Sequence, residues 1–246
     1  MIYRVSLALC CALFGLSAHA NDTRVAATAG APLPVTPAVD ALTAANNALT
    51  FSVGVGTQSY HEVDDSHVTG DPWLDSESGV LPALRLEASR QGSVLGLSNV
   101  YTALSLTSMG GPEHYTGYQA DPSYSDGIGA PLSFYDGTLN LDLTLKLGRA
   151  FRPTPRAQLI PYVMLGMHDW LRGSGDLENY RHGEAGLGLL TQFAVTPKLV
   201  ASVDVMAGRT FEGHMNSMCN GNISRALGSS DTRTVGLGLD YAYSKQ

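Results

Sequence analysis

The sequence predicts an all-β protein: an eight-stranded antiparallel up-and-down transmembrane β-barrel with long loops at one end and short turns at the other. Three observations predict this fold. Eight segments alternate apolar and polar residues with a period of two, which is the spacing of a strand and not of a helix. The connections between these segments alternate between long and short. The polar faces of the segments carry most of their charged residues.

The first 20 residues have the features of a cleaved secretory signal peptide. Arg4 is the only charged residue, an apolar run covers residues 5–16, and Ala18-His19-Ala20 forms an A-x-A cleavage site. The apolar run is too short for a helix that spans a bilayer. Cleavage would leave one cysteine, Cys219, so the exported chain has no internal disulfide framework.

Residues 21–48 are rich in Ala, Pro and Thr, and we expect a flexible periplasmic leader with a short helix near residues 39–47. Residues 49–246 then form the barrel. The chain carries 15 basic and 22 acidic residues and a net charge of −7. This balance argues against nucleic acid as a partner and against binding to anionic headgroups by overall attraction.

The clearest strand is GTLNLDLTLKLG, residues 137–148, in which every second residue from 139 to 147 is leucine. The other face carries Asn140, Asp142, Thr144 and Lys146. In a soluble sandwich the leucines would face the core, whereas in a membrane barrel they would face lipid and the polar set the lumen.

Loop lengths favour the barrel over the sandwich. The eight segments are 49–60, 81–89, 95–108, 137–148, 158–170, 183–195, 199–211 and 234–243. The connections at one end are 61–80, 109–136, 171–182 and 212–233, and those at the other end are 90–94, 149–157 and 196–198. Long loops on one side and an even strand number are typical of bacterial outer-membrane barrels. Ten or twelve strands are the alternative if a long loop hides a hairpin; the 109–136 loop is the first place for one, but its Gly and Pro content argues against it.

The charged residues on the polar faces point to the same conclusion, because charges are costly in a dry core but can pair or hold water in a narrow lumen. We predict a lumen charge network of Arg85, Glu87, Asp142, Lys146, Glu184, Asp204 and Asp240. Asp142 and Lys146 lie too far apart on one strand to pair, so each needs a partner on another strand; Arg85 and Glu87 are the candidates. The network either plugs the lumen or lines a narrow pore.

With its signal peptide, eight strands, PYVMLG in the fifth segment and a final strand GLGLDYAY, the chain resembles the small outer-membrane β-barrels of Gram-negative bacteria. This class includes the OmpA transmembrane domain, OmpX and the opacity proteins. The resemblance implies export to the outer membrane, insertion by the barrel-assembly machinery, and contact with outer-membrane lipid and lipopolysaccharide. Barrels of this class usually end on an aromatic residue, whereas here three residues follow Tyr243.

Aromatic residues near strand ends predict an interfacial girdle. Its members would be Tyr60, Tyr101, Tyr162, Trp170, Phe211, Tyr241 and Tyr243. The 109–136 loop carries Tyr115, Tyr118 and Tyr124 among glycines and polar residues. This composition suits adaptable recognition of a surface ligand, and it equally suits a plain flexible loop.

The first long loop gathers acids and imidazoles that are weak candidates for a divalent-cation site. They are His61, Glu62, Asp64, Asp65 and His67. Their spacing matches no metal motif, so an acidic solvated loop is favoured, and we predict neither a metal nor a cofactor.

The predicted function is that of a non-enzymatic outer-membrane barrel whose loops meet the envelope or the environment. A narrow channel for small, preferably cationic solutes is the first alternative, because acids outnumber bases in the predicted lumen. A lipid A-modifying enzyme is the second, with His114, His168, His182 and His214 as residues that could lie near the rim. No Ser/His/acid set has a recognisable spacing, and we predict no catalytic residue.

Overall fold

The protein is all-β, with its strands in a single antiparallel sheet. The computed structural model describes residues 10–18, 37–63, 73–120, 123, 128–173, 178–217 and 223–242. Within these ranges there are eleven strands and one nine-residue helix. No helix in these ranges is long and apolar enough to cross a membrane.

Eight long strands form the body of the sheet. They are β2 (Ala48–Val63), β3 (Trp73–Val94), β4 (Leu97–Ala120), β5 (Ile128–Arg149), β7 (Ala157–Arg172), β8 (Glu178–Thr196), β9 (Leu199–Ser217) and β11 (Asp231–Tyr241). Three further strands are β1 (Cys10–Ala18) and the four-residue β6 (Phe151–Thr154) and β10 (Ile223–Ala226). The helix α1 spans Pro37–Ala45, within the segment expected to be a flexible leader.

The predicted all-β, antiparallel up-and-down architecture is confirmed, because each long strand pairs with the next long strand along the chain. Each also coincides with one of the eight alternating segments. The strands are longer than predicted at the end expected to carry long loops: β4 continues to Ala120 and β5 begins at Ile128. Most of the expected 109–136 loop is therefore paired strand, for example at His114 opposite Tyr135. Cross-strand pairing here outweighs the turn propensity of the Gly and Pro residues.

The structure differs from a closed eight-stranded barrel. The sheet runs in the order β1-β2-β3-β4-β5-β7-β8-β9, with β10 and β11 both on the outer edge of β9. The edge of β2 pairs with β1, from Ala18 opposite Leu49 to Cys10 opposite Thr57. Residues assigned by the sequence to the signal peptide thus occupy the edge at which β11 would close the ring, and the sheet stays open.

The open sheet is nevertheless rolled, because side chains on its inner face meet across strands that are distant in the sheet. Asn140 Nδ2 of β5 donates to Gln58 Oε1 of β2 at 2.6 Å. Asn46, between α1 and β2, donates through Nδ2 to Gln192 Oε1 of β8 at 2.7 Å. These contacts place one face of the sheet inside and the other outside.

The two faces are inverted relative to a soluble protein. The outer face carries the alternating apolar residues, and Leu143, Leu165 and Leu237 are 43%, 54% and 79% exposed. The inner face buries polar residues, with Asn140 and Gln158 at 2% and 0% exposed. A sandwich would bury the leucines and expose the amides. The buried apolar side chains of the described residues form three separate clusters, one of which holds Leu42 of α1 among alanine and valine neighbours.

Candidate functional site: the polar interior

The inner face holds three polar groups along the length of the strands. The amide cluster lies at the short-turn end, where β3–β4 and β8–β9 are joined by tight turns. A central charged group lies in the middle. The arginine cage, built around Arg172, lies at the opposite, long-loop end, close to the end of β7.

The amide cluster consists of Asn46, Gln91, Gln158 and Gln192, all buried. Gln158 exchanges hydrogen bonds with Gln91, Nε2 to Oε1, at 3.0 and 3.1 Å. It also donates to Gln192 Oε1 at 3.0 Å, and Gln192 donates to Asn46 Oδ1 at 3.0 Å. Four side chains from four different parts of the chain therefore form one network across the interior, and such networks are rigid when their polar atoms are paired.

Helix α1 covers the amide cluster at the short-turn end. Leu42 is fully buried against Ala194 and Val200, which fixes the helix to β8 and β9. Arg152 joins the two layers, because it donates to Thr43 Oγ1 at 2.6 Å and to Gln158 Oε1 at 2.8 Å. The helix and the amides together obstruct this end of the interior.

The central charged group pairs acids with bases on different strands. Lys146 of β5 forms a salt bridge with Asp204 of β9, whose other oxygen accepts a hydrogen bond from Tyr162 Oη at 2.6 Å. Asp142 of β5 contacts His168 Nδ1 of β7 at 2.6 Å. The ring of His168 in turn stacks on His182 with centroids 4.8 Å apart.

The arginine cage surrounds one guanidinium with three carboxylates. Arg172 is 8% exposed. It donates through Nε to Glu77 Oε1 at 2.6 Å, through Nη2 to Asp75 Oδ2 at 2.9 Å, and through Nη1 to Glu178 Oε2 at 2.9 Å. Its guanidinium carbon also lies 4.9 Å from the ring centroid of Tyr60. One cation thus ties together three strands and holds several acids that would otherwise repel each other.

A further acid beside the cage has no such partner. Glu113 of β4 is 1% exposed, and no hydrogen bond of normal geometry reaches either of its carboxyl oxygens. It fits because Gly79 lies opposite: a Cβ on Gly79 would be 2.9 Å from Glu113 Cγ. No group of three or more His, Cys, Asp or Glu residues in the described ranges has metal-binding geometry.

All seven residues of the predicted lumen network lie on the inner face. Arg85, Glu87, Asp142, Lys146, Glu184, Asp204 and Asp240 are each partly buried. The partners differ from those expected for Asp142 and Lys146, which bind His168 and Asp204. Arg85 and Glu87 pair with each other on β3 instead.

The girdle prediction needs correction at four positions. Tyr60, Tyr101, Tyr162 and Trp170 are 3–5% exposed and lie inside. Their even or odd position along each strand matches that of the polar residues and not that of the leucines, so the strand directs them inward. Phe211 and Tyr241 are exposed on the outer face, and Tyr243 lies outside the described residues.

Of the tyrosines predicted to recognise a surface ligand, one lies near the arginine cage and another lines a cavity. Tyr115 lies in β4, where its ring centroid is 5.9 Å from the guanidinium carbon of Arg172. Tyr118 lines a cavity of about 410 Å³ at the long-loop end, together with Trp73, Asp75 and Ser133. Tyr124 lies outside the described residues.

The weak metal candidates do not form a site in the described ranges. His61 and Glu62 are residues of β2, and the ring of His61 stacks on Trp73 with centroids 4.8 Å apart. Asp64, Asp65 and His67 lie outside the described residues.

The histidines considered for the enzyme alternative are dispersed. His168 and His182 are inside, whereas His114 is half-buried and His214 is exposed. The nearest approach to a catalytic pair is His114 Nε2 with Ser133 Oγ, 3.0 Å apart. The salt bridges found among the described residues include no carboxylate on His114.

The sequence reasoning missed the amide cluster and Arg172. Their signal was present, because the period of two that makes Tyr162 and Trp170 inward-facing also reaches Gln158 and Arg172 on β7. The prediction of the interior considered charged residues, and glutamines carry no charge.

No protein-family model matches the sequence, and no curated protein is significantly similar to it.

Proposed function

We propose that the chain is a non-enzymatic β-barrel protein of the bacterial outer membrane, which seals its interior and presents its long-loop end to ligands or envelope components. The inverted faces of the sheet carry the proposal. Leucine, valine and phenylalanine side chains cover the outside while amides and charges are buried. Lipid is the solvent that stabilises such an arrangement.

The dimensions of the apolar outer face suit a bilayer. Outward leucines of β5 run from Leu139 to Leu147, which is about 27 Å along a strand at about 3.4 Å per residue. A strand tilt of about 40° reduces this to about 20 Å along the membrane normal, close to the band of about 25 Å in outer-membrane barrels. The strand ends beyond this band, including the arginine cage, would extend to one side of the membrane.

Closure of the sheet follows from the same environment, because lipid cannot satisfy the backbone groups of an open edge. Alternating strand directions make β11 antiparallel to β2, and β1 is antiparallel to β2 as well. We infer that β11 takes the place of β1 once the signal peptide is cleaved, which gives eight long strands in a ring.

The sealed interior favours recognition over transport. The amide cluster with α1 obstructs one end, and the arginine cage crowds the other. An eight-stranded barrel leaves little room beside such side chains. The cavity of about 410 Å³ at the long-loop end is the place on the described strands where a surface ligand would fit.

A cation channel is the second candidate, and the acidic interior favours it. Glu113 is buried with no hydrogen bond of normal geometry to its carboxyl oxygens, and three carboxylates share Arg172. A permeating cation would be attracted to this region.

Single-channel conductance of the refolded chain lacking residues 1–20 distinguishes the two candidates. Folding is first verified by the heat-dependent shift in gel mobility that barrels show. We expect a folded barrel with no conductance steps in a planar bilayer. Reproducible cation-selective steps that diminish in Glu113→Gln would contradict the sealed interior and establish the channel. A chain that never shows the mobility shift would contradict the barrel itself.

A further inference from the structure

We propose that Arg90 and Arg149 form a binding site for the phosphate of an anionic phospholipid at the short-turn end of the outer surface. The inference rests on the proposed membrane location and adds a lipid-binding site to it. Both side chains are exposed and lie on the face that carries the leucines. The site therefore belongs to the outside of the sheet and not to its interior.

The register brings the two arginines to either side of β4. Arg90 of β3 is opposite Thr102 of β4, and Arg149 of β5 is opposite Val100. Two strand spacings separate the backbones of β3 and β5, which is about 10 Å, and the two-residue offset between Thr102 and Val100 adds about 7 Å along the strands. The two arginine Cα atoms are therefore about 12 Å apart. Extended arginine side chains can close much of this gap, so both guanidinium groups can reach one phosphate. Planar guanidinium groups bind phosphate oxygens in pairs.

The surroundings supply the rest of a lipid site. Leu104 and Leu147 continue along the same outer face toward the middle of the sheet and are 48% and 43% exposed. They provide an apolar surface on which the acyl chains of the lipid can pack, on the membrane side of the phosphate. The guanidinium carbon of Arg149 lies 5.9 Å from the ring centroid of Phe151, which is 52% exposed. An arginine beside an exposed aromatic ring suits the boundary between headgroups and hydrocarbon.

The charge distribution identifies the ligand as anionic. The whole chain has a net charge of −7, yet the short-turn end exposes Arg156 and Lys198 in addition to Arg90 and Arg149. The salt bridges of the described residues include none of these four side chains. Basic residues near a membrane surface attract anionic lipid, and the phosphate completes their hydrogen bonding.

The test compares phosphatidylglycerol with phosphatidylcholine of the same acyl chains, added to the refolded barrel in neutral detergent and measured by native mass spectrometry. We expect the unmodified protein to retain phosphatidylglycerol preferentially. In Arg90→Gln/Arg149→Gln this preference should fall on the order of 30-fold, from about 1 kcal/mol for each basic residue near an anionic surface. Inorganic phosphate at millimolar concentration should not displace the lipid, because it lacks the acyl chains.

The matched control is Arg181→Gln/Arg209→Gln, which removes two exposed arginines from the outer face toward the long-loop end. This control should keep the full preference for phosphatidylglycerol. Equal retention of the two lipids by the unmodified protein, or an equal loss in both double variants, would overturn the site. The mobility shift on heating is recorded for every variant, so a failure of the barrel is distinguished from a failure of the lipid site.

Discussion

Leu143→Arg is the substitution for which a membrane-facing and a water-facing sheet predict opposite results. Leu143 lies midway between Leu139 and Leu147 on the outer face of β5 and is 43% exposed. Its cross-strand neighbours Leu106 and Met167 are 49% and 50% exposed. In water, a substitution at such a site changes the free energy of unfolding by about 0.5 kcal/mol or less. At the middle of a bilayer, arginine on the lipid face costs about 2–4 kcal/mol.

The assay is equilibrium unfolding by urea of the chain refolded in lipid vesicles, followed by tryptophan fluorescence. Leu139→Arg, near the edge of the apolar band, should cost only about 0–1 kcal/mol because the penalty depends on depth. Leu95→Arg is the control, since Leu95 is 99% exposed in the tight turn between β3 and β4. If Leu143→Arg were as mild as Leu95→Arg, lipid would not cover this face and the reasoning would be refuted.

Three further substitutions test the interior by the same unfolding assay. Arg172→Met should lower the free energy of unfolding by about 3–5 kcal/mol, because it leaves buried carboxylates without their cation; a cost below about 1 kcal/mol would mean that the cage is not formed. Gln158→Leu should cost about 1–3 kcal/mol for each buried amide group that loses its partner, whereas an unchanged midpoint would contradict the amide cluster. Gly188→Ala should destabilise the protein and raise the accessibility of Tyr162 to iodination, because the added Cβ would collide with the Tyr162 ring; an unaltered protein would contradict the close approach of Tyr162 to Gly188.

The strand pattern of this sequence determines a large part of the fold. Strict alternation from Leu139 to Leu147 identifies β5 and its two faces, because successive side chains on a strand point to opposite sides. The same rule assigned Asp142, Lys146 and Asp204 correctly to the inner face. Strand pairing by sequence order follows because neighbouring segments in an up-and-down sheet need only a short connection.

Other features depend on contacts that a linear pattern does not contain. The strand extension of β4 to Ala120 passes through glycines and a proline that locally favour turns, and pairing with β5 and β3 stabilises it. The partner of Lys146 depends on how far the sheet rolls, because Asp204 lies on β9, which is not a neighbour of β5. The partner of Asp142 depends on register, because His168 lies directly opposite it on the adjacent β7. Which strand pairs with the free edge of β2 also depends on tertiary contacts, since β1 and β11 both run in a direction that allows antiparallel pairing with it.

Oxygen accessibility along β5 tests the central claim that lipid covers the leucine face. A spin label would be attached at single cysteines from position 139 to 147 in a Cys219→Ser background of the chain lacking residues 1–20, refolded in vesicles. We predict that collisions with oxygen, relative to a polar nickel reagent, peak at the leucine positions and fall at Asn140, Asp142 and Thr144. Leucine positions reached mainly by the nickel reagent, or shielded from both reagents, would contradict the claim.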